Sequence, residues 1–222
     1  MAKLLLLTAA AFAAGSIPFG IIVTRIFSSE DIRAKGSGNI GATNVTRVAG
    51  WLPGLATLAL DLAKGALPVY VAKTVFHGRP DHAMAITGLA AVLGHTCPLF
   101  SGFRGGGKGV ATAAGAFLVM APAACLAAIS VFILVASCSR RVSAGSVSAA
   151  ICLPAAAWFF YGTGPLLASS VATSLIVLIR HRSNINRLLN GTEPPFFKKK
   201  HGKNGQFRIS DPFIIDSIVN TY

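Results

Sequence analysis

Between two apolar stretches stands Gly94-His95-Thr96-Cys97-Pro98, followed by Phe103-Arg104-Gly105-Gly106-Gly107-Lys108-Gly109. Glycines let backbone approach an anion closely and turn peptide N–H groups inward as a nest, while Lys108 and Arg104 supply charge. A flexible loop accounts for the glycines alone; with Lys108 among them, a phosphate site accounts for them better. A second polar island, Gly36-Ser37-Gly38-Asn39-Ile40-Gly41-Ala42-Thr43-Asn44-Val45-Thr46-Arg47, alternates glycine with hydroxyl and amide side chains and ends in arginine. Such backbone cannot lie bare in lipid and must line a cavity or the interface. A third, His181-Arg182-Ser183-Asn184-Ile185-Asn186-Arg187, closes with Gly191-Thr192-Glu193. On a helix, His181, Asn184 and Arg187 share one face. The three islands offer guanidinium, ammonium, imidazole, amide and hydroxyl groups with little carboxylate, which suits a dianionic substrate.

The elements that must hold these islands are membrane helices. Of 222 residues, 53% are hydrophobic and 12% charged, against about 25% charged in soluble domains. Mean hydropathy is +0.64. The net charge of +13 lies in short loops between apolar segments. That pattern fits positive-inside topology and anionic phosphate ligands rather than nucleic acid. Met1-Ala2-Lys3 and the apolar run after it resemble a signal peptide, but the apolar character continues to Phe27, which predicts an uncleaved first span. Further apolar segments run over 51–76, 83–100, 110–138, 145–161 and 164–180. As one helix, 110–138 would be roughly 43 Å long, well beyond a hydrocarbon core of about 30 Å. Pro122 lies near its middle, and a single crossing would throw Arg140-Arg141 to the outer face. Reading 110–120 and 122–138 as two elements returns Arg140-Arg141 and the basic stretch after Arg180 to the cytoplasm, with the short loop 77–82 outside. The expected fold is an all-α, polytopic integral membrane protein. It has about seven transmembrane helices, some half-length, the N-terminus outside, and a site built from cytoplasmic-side loops.

At these islands the chain closely resembles the acyl-phosphate:glycerol-3-phosphate acyltransferase family of bacterial membranes (PlsY). The family pattern Ser-Gly-Asn-x-Gly-x-Thr-Asn-x-x-Arg is met at 37–47. Gly-His-x-x-Pro is met at 94–98, and Gly-Gly-Lys-Gly-Val-Ala-Thr at 106–112. His-x-x-Asn-x-x-Arg-Leu-x-x-Gly-x-Glu is met at 181–193. The likeness extends to Gly15-Ser16-Ile17-Pro18-Phe19-Gly20, Asp61-Leu62-Ala63-Lys64-Gly65 and Arg141-Val142-Ser143, and covers roughly residues 10–193. It implies transfer of a fatty acyl group from acyl phosphate to the 1-hydroxyl of glycerol 3-phosphate. The products are lysophosphatidic acid and phosphate, the first step of phospholipid synthesis. It also implies a place in the bacterial cytoplasmic (inner) membrane, in contact with lipid, with the C-terminus inside; a monomer is expected, and the residues call for no cofactor or metal.

By the same resemblance, Ser37, Arg47, Lys108, Ser146, His181 and Asn184 surround the phosphates and the attacking hydroxyl. Gly38, Asn39, Gly41, Thr43, Asn44, His95, Gly106 and Gly107 shape the pocket, and Thr112, Ser143, Arg187 and Glu193 join the substrate-binding set. Lys108 and Arg47 suit the charge that develops on a departing phosphate. The proton acceptor is open between His181, His95 and a phosphate of the bound substrate; scarce carboxylate argues against an Asp or Glu base. Taken singly, Ser37, Ser143 and Ser146 read equally as turn or helix caps, and Arg47 and Lys108 as interface anchors. Asp61 and Lys64, at i, i+3, read as an ion pair or as site components.

Other motifs fail. Residues 102–108 spell the start of a phosphate-binding loop, yet Gly109 occupies the Ser/Thr place. Cys97, Cys125, Cys138 and Cys152 lack metal-ligand spacing. A polytopic transporter of a phosphorylated small molecule is the alternative, but the two halves show no self-similarity. Residues 1–193 thus form the membrane domain. The tail 194–222 carries the basic cluster Lys198-Lys199-Lys200-His201, suited to anionic headgroups.

Overall fold

Pro18 breaks the first apolar segment. It has no N–H and disfavours a helical predecessor, so Ile17 is extended at φ −62°, ψ 119°. The segment divides into α1 (Ala2–Ser16) and α2 (Phe19–Phe27). This computed structural model describes residues 1–196, among which every regular element is helical. The short α3 (Ala42–Ala49) ends at Gly50, whose φ of +100° turns the chain into α4 (Trp51–Val75). Then follow α5 (Pro80–Thr96), a 3-10 turn (Leu99–Ser101), α6 (Val110–Met120), α7 (Pro122–Ser139), α8 (Val142–Tyr161), α9 (Pro165–Arg180) and α10 (Arg182–Leu189). The Lys198–His201 cluster expected of the tail lies outside the described residues.

Among the described residues seven apolar elements are present, as the sequence leads one to expect. Five are long and apolar enough to cross a membrane, with α1 and α2 taken together as the first. The other two, α6 and α9, are shorter. The stretch 110–138 is two helices: Ala121 leaves the helical region at φ −147°, and Pro122 opens α7 where its missing N–H costs nothing. At 1.5 Å per residue α6 is only about 16 Å long, so it crosses roughly half of the hydrocarbon thickness. Four boundaries differ from expectation, one of them the end of α5 at Thr96 rather than 100. The first span kinks at Pro18, α5 starts at Pro80, and α8 starts at Val142 because Arg140, left-handed at φ 57°, ends α7 just before it.

Small residues set the helix spacing. A side chain on Gly15 would overlap the Ala91 carbonyl of α5, and one on Gly94 would overlap the Phe12 carbonyl of α1. Between α4 and α6 the same reciprocity holds, Gly65 against the Thr112 carbonyl and Gly115 against that of Leu62. Membrane helices gain no hydrophobic drive from each other, so close backbone approach supplies the contact area that holds them. The main core lies where α4, α5, α6, α7, α8 and α9 meet, around Val69, Phe117, Met120, Leu153 and Leu166. Leu55, Leu67, Leu134, Phe159 and Phe160 are exposed and belong on the lipid side of the bundle.

Candidate active site

The C-terminal ends of α5 and α9 and the N-terminal ends of α6 and α8 meet through their polar residues at one end of the bundle. After α10, Gly191 at φ 69° reverses the chain, and the Glu193 N–H donates to the Arg187 carbonyl at 3.1 Å. This places the Glu193 side chain, 7% exposed, against α8 and α10. Its Oε1 accepts from Ser143 Oγ at 2.6 Å and from Asn184 Nδ2 at 2.7 Å, and its Oε2 accepts from Arg187 Nε at 2.6 Å. Asn184 in turn accepts from Lys108 Nζ at 2.7 Å through Oδ1. Arg141 Nε donates to the Glu193 carbonyl at 2.9 Å. Residues 76 positions apart, Lys108 and Asn184, are thereby joined into one network.

Charge in the cluster is unbalanced. Against the carboxylate of Glu193 stand Lys108, Arg47, Arg180 and Arg187, all near enough to Lys108 to act on it. Burial drives the Lys108 ammonium down to about 8; Glu193 opposes the shift, and the three arginines add to it. Burial pushes Glu193 up, but the hydrogen bonds from Ser143, Asn184 and Arg187 outweigh it, and its carboxyl stays below the usual range. His181 is 2% exposed, and burial, then Lys108, hold it at about 4. Its Nδ1 faces the Val177 carbonyl at 2.8 Å. A carbonyl only accepts, so Nδ1 carries the proton and Nε2 keeps its lone pair. The end of the bundle thus offers excess positive charge to an anion.

The glycine loop is held from two sides. Arg180 donates from Nε to the Gly107 carbonyl at 3.1 Å and from Nη2 to the Gly106 carbonyl. The Gly107 N–H donates to the His95 carbonyl at 3.0 Å. That N–H is therefore committed to the end of α5 rather than turned toward an anion, which narrows the expected nest. His95, 4% exposed, lies beneath the loop, and a Cβ on Gly107 would overlap its ring.

The first island folds around an amide. Asn44, 1% exposed, donates through Nδ2 to the Ile32 and Lys35 carbonyls, each at 3.1 Å, and accepts from the Ser37 N–H at 2.8 Å. With these bonds it acts as a clamp that shapes loop 32–37. Asn39 accepts from the Gly41 N–H at 2.9 Å and caps a turn. Ser37 and Gly38 are exposed, Gly41 and Thr43 half-buried. Arg47 extends from α3 with its guanidinium 5.8 Å from the centre of the Phe196 ring. Among the described residues, no hydrogen bond joins Ser37, Gly38, Asn39, Gly41 or Thr43 to the Lys108–Glu193 network; of the first island Arg47 alone reaches it, through charge. Ser146 bonds back to the Val142 carbonyl at 3.0 Å, and Thr112 is fully buried in α6.

Arg180 and Arg141 carry roles that the sequence does not signal. Each stands at the end of an apolar run, where a basic residue reads as a topology marker. Only the fold reveals their carbonyl partners.

A family model described as Glycerol-3-phosphate acyltransferase matches residues 5–191. A glycerol-3-phosphate acyltransferase of Syntrophotalea carbinolica is 46% identical over 197 residues, covering 88% of this chain and 99% of its own. One of Geobacter sulfurreducens is 46% identical over 192 residues, covering 86% and 97%. The fold is similar to a crystal structure of PlsY, an integral membrane glycerol 3-phosphate acyltransferase, in its glycerol 3-phosphate form. That match has a TM-score of 0.81 at 36% identity, covering 87% of this chain and 95% of that one. The lysophosphatidic acid form of the same protein gives 0.79 at 35% identity, with the same coverage.

Proposed function

The chain belongs to the glycerol-3-phosphate acyltransferase family, and we propose that it moves a fatty acyl group from acyl phosphate to the 1-hydroxyl of glycerol 3-phosphate. The products are lysophosphatidic acid and inorganic phosphate. The observation that carries this reading is the gathering of Lys108, Arg47, Arg180 and Arg187 around the Asn184–Glu193 pair, where α6 begins. Both substrates carry phosphate, and this cluster holds more cation than its own carboxylate can neutralise.

In the reaction the hydroxyl oxygen forms a bond to the acyl carbonyl carbon, and the bond from that carbon to the phosphate oxygen breaks. Lys108 and Arg47 favour the negative charge that grows on the departing phosphate. Ser37, with its exposed hydroxyl, and Asn184 add hydrogen bonds to substrate oxygens. Ser143, Arg187 and Glu193 keep Asn184 and Lys108 in register, while Ser146 and Thr112 line the helix ends beside them. Gly38, Asn39, Gly41, Thr43 and Asn44 give the first loop its shape.

The proton goes to a substrate phosphate. A general base works best with a pKa near the operating pH. His181, held at about 4, is too weak a base for that role. His95 is covered by Gly107. Arg25, Arg140, Arg141, Arg180 and Arg182 fall at the ends of elements that lead into the site, and Arg33 and Lys35 in the loop between α2 and α3. By the positive-inside rule that end faces the cytoplasm, with the N-terminus outside.

A transfer assay on purified protein in detergent or lipid tests the reading. Palmitoyl phosphate and palmitoyl-CoA are compared as donors to glycerol 3-phosphate. Lysophosphatidic acid formed from the acyl phosphate alone is expected. Turnover with the CoA donor would overturn the donor, and no product from either in a folded protein would overturn the activity.

A further inference from the structure

Two charged residues inside the apolar helix α4 take no part in this mechanism. Asp61 and Lys64 are 1% and 5% exposed, and Lys64 Nζ lies 2.9 Å from Asp61 Oδ1. Charges within membrane helices are costly to keep and persist when paired. A pair that only neutralised itself would have no need of other partners, yet this one extends in two directions.

On one side, Lys64 Nζ donates to the Ile17 carbonyl at 2.9 Å, at the Pro18 break, and sits 5.5 Å over the Phe19 ring. The next residue, Gly20, packs so tightly on Ile40 that a Cβ there would overlap the Ile40 carbonyl. Ile40 belongs to the island that carries Ser37 and Arg47. On the other side, Asp61 Oδ1 lies 3.7 Å from His95 Nδ1, a buried nitrogen without a hydrogen-bond partner among the described residues. The ring of His95 supports Gly107, and its carbonyl accepts the Gly107 N–H at 3.0 Å. Lys108 is the next residue. The ion pair therefore stands between the two loops that carry the candidate phosphate ligands, with one partner turned toward each.

We propose that Asp61 and Lys64 are positioning residues that hold the two phosphate-handling loops in register, Lys64 through the break at residues 17–20 and Asp61 through His95 to Gly107 and Lys108. The inference rests on the function proposed above for those loops. Asp61 faces the ring of His95 at 3.7 Å as its charged neighbour on α4, and a ring kept in that place keeps the glycine loop seated. Lys64 satisfies the Ile17 carbonyl, which anchors α2 and, through Gly20, the backbone of the first island. A displacement of about 1 Å at a reacting group costs up to about a hundredfold in rate, so a loose support is enough to impair transfer.

The double variant Asp61→Asn, Lys64→Met removes both charges together and leaves no buried charge unpaired. It is compared with the wild type and both single variants by thermal unfolding in detergent, by kcat/KM with palmitoyl phosphate, and by hydrogen–deuterium exchange over residues 34–47 and 96–110. The expected result is a double variant more stable than either single one, with both segments exchanging faster and kcat/KM about 10-fold to 100-fold below wild type. Recovery of wild-type kcat/KM and exchange in the double variant would reduce the pair to mutual neutralisation and overturn the inference. Should the double variant not fold, Asp61→Glu keeps the charge and displaces the carboxylate by one methylene. Faster exchange over 96–110 with reduced kcat/KM is then expected, and unchanged values would refute the role. A wild type without transfer activity would sink the proposed function, while the exchange comparison would still judge the positioning role.

Discussion

Raising the pH is expected to switch off the free enzyme near pH 8, well below the range of an ordinary lysine. In the proposed reaction the acting group is Lys108, which favours the departing phosphate only while protonated. Burial drives its ammonium down to about 8, with Arg187, Arg47 and Arg180 adding repulsion and Glu193 opposing both. Below that value the group is charged and kcat/KM is level. Above it, kcat/KM falls about tenfold for each pH unit, to about one tenth at pH 9. A bound phosphate dianion favours the charged form, so the corresponding fall in kcat, which reports the substrate complex, lies at higher pH. Initial rates of phosphate release from palmitoyl phosphate, measured against glycerol 3-phosphate from about pH 6 to about pH 10 at constant ionic strength, give both profiles. Lys108→Arg provides the control. A guanidinium stays charged across this range, so that variant is expected to be slower but to lose the alkaline fall. A wild-type fall near 10.5, or the same fall near 8 in Lys108→Arg, would refute the assignment of the titrating group.

Glu193→Ala is expected to lower stability by about 2–5 kcal/mol, seen as earlier thermal unfolding in detergent, because Ser143 and Asn184 lose a buried acceptor. Arg187 adds little to that loss, since its side chain is 40% exposed; an unchanged unfolding temperature would remove Glu193 from the network. Gly107→Ala is expected to leave the bundle folded and reduce kcat/KM about 10-fold to 100-fold, since its Cβ overlaps the His95 ring and displaces the loop. A wild-type rate would place the loop elsewhere. In a cysteine-free background, Gly105→Cys and Arg140→Cys are expected to label from the cytoplasmic side and Gly78→Cys from outside. Labelling of position 140 from outside would break the division of 110–138 into two helices.

The bundle was legible where a single residue forced the outcome. Pro122, the excess length of 110–138 and the basic pair Arg140-Arg141 together required two helices there, and α6 and α7 are those helices. Pro18 could have announced its kink in the same way, yet the apolar run on either side masked it. The polar islands were legible as groups because glycine, amide and basic residues rarely gather within apolar sequence. Their internal division of labour was not. Asn44 is a side chain of the first island like Asn39, and only the fold of loop 32–37 shows that its amide is consumed by Ile32, Lys35 and Ser37. Glu193 stood in the third island, but its bond to Ser143 spans 50 residues and depends on the reversal at Gly191. The i, i+3 spacing announced the Asp61–Lys64 pair, whereas the approach of His95 comes from the packing of α4 against α5.

The most direct test of the central claim is turnover by purified Lys108→Ala beside the wild type. Lysophosphatidic acid formed from palmitoyl phosphate and glycerol 3-phosphate is followed, and thermal unfolding confirms that the variant is folded. If Lys108 acts on the departing phosphate from the network of Asn184 and Glu193, the variant loses at least about a hundredfold in kcat. A folded variant that turns over near the wild-type rate would place the chemistry elsewhere and contradict the account.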